Sequence, residues 1–325
     1  MKANAWHDPR WQSDAHGWIT TRLAGLGMPV QGPIQEIRVR PWSVTHQAPT
    51  ALGPVWFKAN TPACAYEAAL AEALAKWQPD AVLVPLAVDA ERGWMLTADA
   101  GKTLREEIAP DELLTVWAEM LRAYATLQRA VAERADDLVA LGVPDHRPAR
   151  LPERLAELLA DPGVRNDLGT DRRAAVEEVA PVFREWCAEL AADGIPAGLQ
   201  HDDLTDANVF RTVGGGFRFF DWGDSSVAHP FGSLLVALGF AGYVLGIEAG
   251  APEIRRLRDA YLEVWTDLAS PAELRRSVSL ACRVTRVSKA LAWERALREP
   301  SLPVEEDFRH AVADWLAETP KPPLV

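Results

Sequence analysis

Residues 201–224 run His201-Asp202-Asp203-Leu204-Thr205-Asp206-Ala207-Asn208-Val209-Phe210-Arg211-Thr212-Val213-Gly214-Gly215-Gly216-Phe217-Arg218-Phe219-Phe220-Asp221-Trp222-Gly223-Asp224, and their spacing decides how the rest of the chain is read. Asp203 and Asn208 stand five residues apart, enough for a loop to turn back so that both side chains face one cavity. Asp221 follows Asp203 by eighteen residues. That interval accommodates a strand over 208–212, a turn at Gly214, Gly215 and Gly216, and a return strand over 217–220, because bulky residues alternate on either side of a glycine-rich reversal. The hairpin delivers a second carboxylate, Asp221, to its end. A carboxylate able to take a proton, with an amide oxygen and a further carboxylate to hold a hard divalent cation, is a chemically coherent set. A lone D-x-x-x-x-N would be weak; two half-motifs joined by a strand-turn-strand are strong.

Size and charge narrow the function classes. The chain has 325 residues, enough for one large or two smaller domains, and 48% hydrophobic content supports a substantial core. A net charge of −12 argues against nucleic-acid or anionic-membrane partners, which need a basic face. The acidic surface also suits attraction of a cationic small molecule. Cys64, Cys187 and Cys282 are widely spaced, without a CxxC or Cys/His pairing, and are expected to be reduced, buried thiols of a cytoplasmic protein. The opening Met-Lys-Ala-Asn-Ala-Trp-His-Asp lacks a signal-type apolar run, and the most apolar stretch, 234–247, falls short of the roughly 18 residues of a membrane span. The thirteen tryptophans are spread along the chain and read as packing residues.

Working outward from the decisive stretch, the first hundred residues mix an opening helix over 18–26 with strands over 34–40, 44–48 and 54–59. A helix over 63–77 follows, with Tyr66, Leu70, Leu74 and Trp77 on one stripe, then strands over 82–88 and 94–97 reversed around Arg92-Gly93. Helical periodicity takes over beyond a hinge at 98–101. Leu113, Val116, Trp117, Met120, Leu121, Tyr124 and Leu127 mark one long helix, entered through Pro110 and Asp111. Val176, Val179, Phe183, Trp186 and Leu190 mark another, ending at Asp193-Gly194. Residues 136–170, rich in Asp, Pro and Arg, read as an irregular segment that packs a helical hairpin onto the larger, helical part. Further helices are expected near 231–245, 252–268, 271–297 and 304–318.

Lys58 lies between large hydrophobes in Val55-Trp56-Phe57-Lys58-Ala59, and a lysine on a half-buried strand requires an anionic partner. Its expected partner is Glu67, one turn from Leu70 and Leu74 on the buried side of the helix, whereas Glu72 points elsewhere. The bland alternatives are a snorkelling edge lysine and a solvated glutamate. No G-x-G-x-x-G occurs between the first two strands. Pro41, Trp42 and Ser43 form that turn, whose amides and Ser43 hydroxyl could reach a phosphate; an ordinary turn hydroxyl is the equal alternative. Asp202, Asp206 and Asp224 read as solvated loop acids, and His201 as a residue that bonds backbone near Asp221-Trp222-Gly223.

Taken together, Lys58, Glu67, the hinge, the 201–208 loop and Asp221 resemble, in order, the aminoglycoside phosphotransferase family, small-molecule kinases with a protein-kinase-like bilobal fold. The resemblance implies an α+β fold, with a β-rich nucleotide-binding lobe over 1–100 and a mostly helical catalytic and acceptor-binding lobe over 101–325. It implies Asp203 as catalytic base, Asn208 and Asp221 as magnesium ligands, Lys58 and Glu67 as the phosphate clamp, and ATP or GTP as donor. Adenine is then expected against the hinge around Asp99. The sequence departs from the family where Asp202 replaces a glycine before the base, and where Ala228-His229-Pro230 and Ser233 replace Gly-Asp-Pro and a further Asp. The activity implied is transfer of a γ-phosphoryl group to a hydroxyl of a small polar acceptor, an aminoglycoside, amino sugar or related metabolite. A protein kinase is disfavoured by Asp202 in place of the arginine of His-Arg-Asp and by the lack of an evident activation loop after Asp221. A catalytically silent nucleotide-binding or scaffold protein of the same fold is the other alternative.

Overall fold

A computed structural model describes residues 5–325, and its contacts divide them into two compact units. The first comprises residues up to Gly101 together with Phe220–Gly223 and Glu294–Arg309; the second comprises Lys102–Phe219, Asp224–Trp293 and His310–Val325.

In the first unit, helix α1 (Pro9–Gly25) starts well before the apolar run from residue 18, because Asp8 caps it: its carboxylate accepts from the backbone N–H of Arg10 at 2.8 Å and Trp11 at 3.2 Å, with Pro9 in the first turn. The strands β1 (Gln35–Val39), β2 (Ser43–Thr50), β3 (Gly53–Asn60), β4 (Pro85–Asp89) and β5 (Trp94–Ala98) form an antiparallel sheet in the order β1-β2-β3-β5-β4. On β3 the two-residue period puts Val55, Phe57 and Ala59 wholly inside, while Trp56 and Lys58 face the other way. The inner face packs with Trp6, Ala15, Trp18, Ile19, Leu23 and Trp94. Helix α2 (Tyr66–Trp77), preceded by a 3-10 turn at Pro62–Cys64, packs against β4.

His46 is lodged in this aromatic core. It is 1% exposed, and neither ring nitrogen has a hydrogen-bond partner. Its ring meets Trp11, His16 and Phe57, and its Nε2 lies 4.0 Å from Glu36 Oε2, beside His7. Burial lowers its pKa from the ordinary 6.5; His16 and His7 add to that, and Glu36 opposes it. The unfolded chain therefore takes up this proton near pH 6.5 while the folded chain refuses it. The sign is that stability falls as pH drops below about 6.5, by at most about 1.4 kcal/mol per pH unit inside the window. Urea midpoints measured at pH 7.5 and 5.5 should separate more for the wild type than for His46→Phe; equal separations would show that His46 is not the sensor.

The second unit is mostly helical: α3 (Leu104–Glu107), α4 (Leu113–Ala130), α5 (Ala135–Ala140), α6 (Leu151–Ala160), α7 (Pro162–Ala192), α8 (Leu234–Leu245), α9 (Pro252–Leu262), α10 (Pro271–Arg298, whose last turns belong to the first unit), and α12 (Ala311–Glu318). The short α11 (Glu306–Arg309) lies in the first unit. Residues 136–170, expected to be irregular, are largely helical. Pro152 and Pro162 fall in the first turns of α6 and α7, where a missing N–H costs nothing, and Asp161 caps α7 by accepting from Val164 N–H at 2.9 Å. Helix α7 is interrupted at Gly169, whose φ of 66° is non-helical. Two small antiparallel pairs complete this unit: β6 (Gly198–Gln200) with β9 (Ser226–Ala228), and β7 (Val209–Arg211) with β8 (Phe217–Phe219). The second pair is the hairpin read from the glycine run, and Gly215 takes the positive φ of its turn. All three cysteines are buried and unpaired with one another. No helix among the described residues is long and apolar enough to cross a membrane.

Candidate functional site

In the first unit, Lys58 Nζ donates to Glu67 Oε1 at 2.8 Å and to Asp221 Oδ1 at 2.5 Å. Glu67 is fully buried, and its other oxygen accepts from Asn60 Nδ2 at 2.7 Å. The antiparallel register sets Lys58 opposite Thr45 on β2 and Met95 on β5, so its Cα is fixed from both sides. Burial alone would lower the pKa of the lysine. Asp221 and then Glu67 outweigh that and hold its pKa above the ordinary lysine range, so the ammonium stays charged at neutral pH. Glu72, as its spacing implied, is exposed and pairs with Lys76 at 2.9 Å.

Asp221 has φ of 64°, the only positive φ outside glycine among the described residues. Aspartate tolerates this left-handed conformation better than most residues, and the strain is retained only where surrounding contacts fix the backbone. Those contacts are present. Tyr66, one residue before Glu67, donates its hydroxyl to Gly223 O at 2.5 Å, and Arg295 donates to the Tyr66 hydroxyl at 3.1 Å. A Cβ at Gly223 would stand 3.0 Å from Glu67 Oε2, a tight contact that a side chain there would relieve only by displacing the glutamate.

The turn proposed to cover the nucleotide is also held. Ser301 N–H donates to Pro41 O at 2.7 Å, Thr61 N–H to Trp42 O at 2.9 Å, and Trp42 meets Phe308 edge-on at 5.2 Å. Ser43 opens β2, 9% exposed and opposite Asn60. At the end of β5, Asp99 is exposed; its N–H donates to Pro54 O at 3.2 Å and its carboxylate accepts from Trp56 Nε1 at 3.2 Å. Nothing in the sequence signalled that residues 294–309 secure the 41–43 turn, since the contacts are mostly to backbone.

In the second unit, the 201–208 loop follows β6 directly. Asn208 Nδ2 donates to both Asp203 Oδ2 and Asp203 O, each at 2.8 Å. A backbone carbonyl only accepts, so the amide nitrogen must face Asp203 and the amide oxygen is turned the other way. His201 Nδ1 accepts from Asp203 N–H at 3.2 Å, and its own N–H donates to Tyr124 Oη and Ser233 Oγ, both at 3.0 Å. Ser233 therefore gives a structural reason for one departure from the family pattern. A second departure is filled by His229, whose Nε2 lies 3.0 Å from Asp193 Oδ2.

Two loop acids read as solvated are buried instead. Asp206 is 3% exposed and accepts from Arg105 Nε at 2.9 Å. Asp202 is 1% exposed, and its carboxylate accepts from Gln200 Nε2 at 2.5 Å and Ser226 Oγ at 3.3 Å. The reason is largely topological, because Arg105 on α3 and Ser226 on β9 lie about a hundred and about twenty residues away in sequence, where no short-range pattern reaches. Asp224 remains half-exposed, with its Oδ2 3.7 Å from Lys289 Nζ. Near the C-terminus, Glu305 lies 3.5 Å from Arg40, and Glu306 pairs with Arg309 at 3.0 Å.

Each unit thus presents an oxygen donor of the hard type: the Asn208 amide oxygen in the second, and in the first the Asp221 carboxylate, which accepts from the Lys58 ammonium. Comparison with known proteins identifies the family. The model of the APH phosphotransferase enzyme family matches residues 55–275, and the chain belongs to that family. Solved structures show the same protein-kinase-like fold. A choline/ethanolamine kinase family protein from Mesorhizobium loti is 19% identical, with a TM-score of 0.61 over 94% of this chain and 93% of that one. Choline kinase LicA from Streptococcus pneumoniae is 13% identical, with a TM-score of 0.63 over 95% and 99%. A spectinomycin phosphotransferase in complex with ADP and spectinomycin is 12% identical, with a TM-score of 0.53 over 93% and 98%. No curated protein matches the chain significantly by sequence.

Proposed function

We propose that this chain is a cytoplasmic, magnesium-dependent small-molecule kinase that transfers the γ-phosphoryl group of ATP or GTP to a hydroxyl of a small polar acceptor. Asp203 orients the acceptor hydroxyl and takes its proton. Asn208 and Asp221 are the residues that would hold magnesium, which supplies charge compensation to the phosphate oxygens. Lys58, itself fixed by Glu67, pairs with the nucleotide phosphates. Backbone around Asp99 receives the adenine or guanine, and Ser43 with its neighbouring amides covers the phosphates. Residues 1–100 are then the nucleotide-binding lobe and residues 101–325 the catalytic and acceptor-binding lobe. In a loose phosphoryl-transfer transition state there is little covalent work for the protein, so fixing these groups in place supplies most of the catalysis.

The observation that carries this reading is the pair of hydrogen bonds that Asn208 Nδ2 donates to the Asp203 carboxylate and carbonyl. It sets the base and the amide oxygen in a defined mutual orientation, which a silent binding protein has no need to maintain. The acceptors in the descriptions of the similar structures, choline, ethanolamine and spectinomycin, belong in the first panel with aminoglycosides, amino sugars, neutral sugars and homoserine. The test is magnesium-dependent release of nucleoside diphosphate across that panel. Stimulation by one class supports phosphotransfer and names the acceptor. Nucleotide binding without turnover for every acceptor would favour a silent binding protein.

A further inference from the structure

Asp203 is the residue on which the proposed chemistry turns, and the peptide group joining it to Asp202 is held at both ends. Its N–H belongs to Asp203 and donates to His201 Nδ1 at 3.2 Å. Its C=O belongs to Asp202 and accepts from Lys289 Nζ at 2.8 Å. The following peptide carbonyl, that of Asp203, accepts from Asn208. Rotation about the backbone bonds of Asp203 would break one of these three bonds, so together they fix the direction in which its side chain leaves the chain.

Lys289 is an unusual choice for its place. It lies in the middle of α10, 5% exposed, with its ammonium 5.8 Å from the ring of Trp315. A buried ammonium is costly unless it is paired and hydrogen-bonded. Here the compensation comes from the Asp202 carbonyl and from the Asp224 carboxylate at 3.7 Å. The same helix reaches the loop by a second route: Thr285 Oγ1 donates to Gln200 Oε1 at 3.4 Å, and Gln200 Nε2 donates to the Asp202 carboxylate. Asp202 is thus referenced to α10 through both its backbone and its side chain. A simple core position would be filled by leucine or methionine at lower cost.

We propose that Lys289 is a positioning residue for Asp203, acting through the Asp202 carbonyl; this rests on the phosphotransfer reading above. It touches no reacting atom, and its effect is to restrict the base to a productive orientation. Lys289→Met keeps the length and apolar stem while removing the donor. Two measurements are made on the full chain. In the absence of any substrate, amide hydrogen exchange in the peptide covering 201–208 should be faster than in the wild type by about tenfold or more. With nucleotide and acceptor, kcat should fall by about 10²-fold, the scale of a small misplacement, with both KM values within about twofold of wild type. Where Lys289→Met does not fold, Lys289→Gln, which keeps a polar head at shorter reach, carries the same two expectations. Wild-type exchange in the loop, or a kcat per folded molecule unchanged in the variant, would overturn the proposal. A wild-type protein silent with every acceptor would overturn the phosphotransfer reading instead, and the exchange measurement would still decide whether Lys289 restrains the loop.

Discussion

Acceptor-dependent turnover is expected to fall by about 10²–10⁴-fold when Asp203 is replaced by alanine, the range that removal of a general base covers. The nucleotide KM should change little, because Asp203 is assigned to the acceptor hydroxyl and not to the donor. Asp203→Asn is the informative companion. It keeps the volume, but it can no longer accept a proton and gives Asn208 a neutral partner in place of a carboxylate oxygen at 2.8 Å. Both variants should therefore be slow, with the asparagine variant retaining the thermal stability of the wild type. Initial rates of diphosphate release under saturating nucleotide make the comparison. Undiminished turnover in Asp203→Ala would remove Asp203 from the mechanism.

The second large effect is at Lys58. Lys58→Met leaves Glu67, fully buried, and Asp221 without the ammonium that compensates both. Breaking a buried pair by deleting one partner typically costs about 3–5 kcal/mol, and Lys58 is 19% exposed on its side chain, so the lower end of that range is expected. Turnover should fall with it, and the nucleotide KM should rise. Stability and activity can be separated by pairing the change with Glu67→Gln, whose amide still bonds Asn60 but carries no charge. The double variant should recover part of the lost stability in urea unfolding and none of the turnover. Recovery of both would mean that Lys58 serves the fold alone.

How much of this was legible in the sequence follows from the range over which each signal acts. The hairpin over β7 and β8 was visible because glycine turn chemistry and two-residue alternation are local, and so were the alternation that turns Lys58 away from Phe57 and the helical spacing that put Glu67 on the inner side of α2. Residues 136–170 were misread because proline and aspartate mark both loops and the first turns of helices, and composition alone does not distinguish the two uses. Asp202 and Asp206 were misread for a different reason. Burial of an acid depends on a partner, and Ser226 and Arg105 become partners only once β9 pairs with β6 and α3 lies beside the loop. Lys289 gave no signal at all, since a single lysine in a long amphipathic helix reads as a surface residue until its carbonyl partner is seen.

The three cysteines have a practical consequence for studying the protein in motion. Cys64 is 3% exposed, Cys187 1% and Cys282 0%, and burial pushes the thiols of Cys187 and Cys282 up to about 12. Maleimides react with the thiolate, and thiols that are both inaccessible and protonated at neutral pH react slowly. A cysteine introduced at an exposed position such as Leu52 or Val213 is therefore expected to be labelled well before the native three, with no need for a cysteine-free background. One dye or spin label on each of the two compact units would then report their separation in solution with and without nucleotide, from a protein whose interior has not been altered.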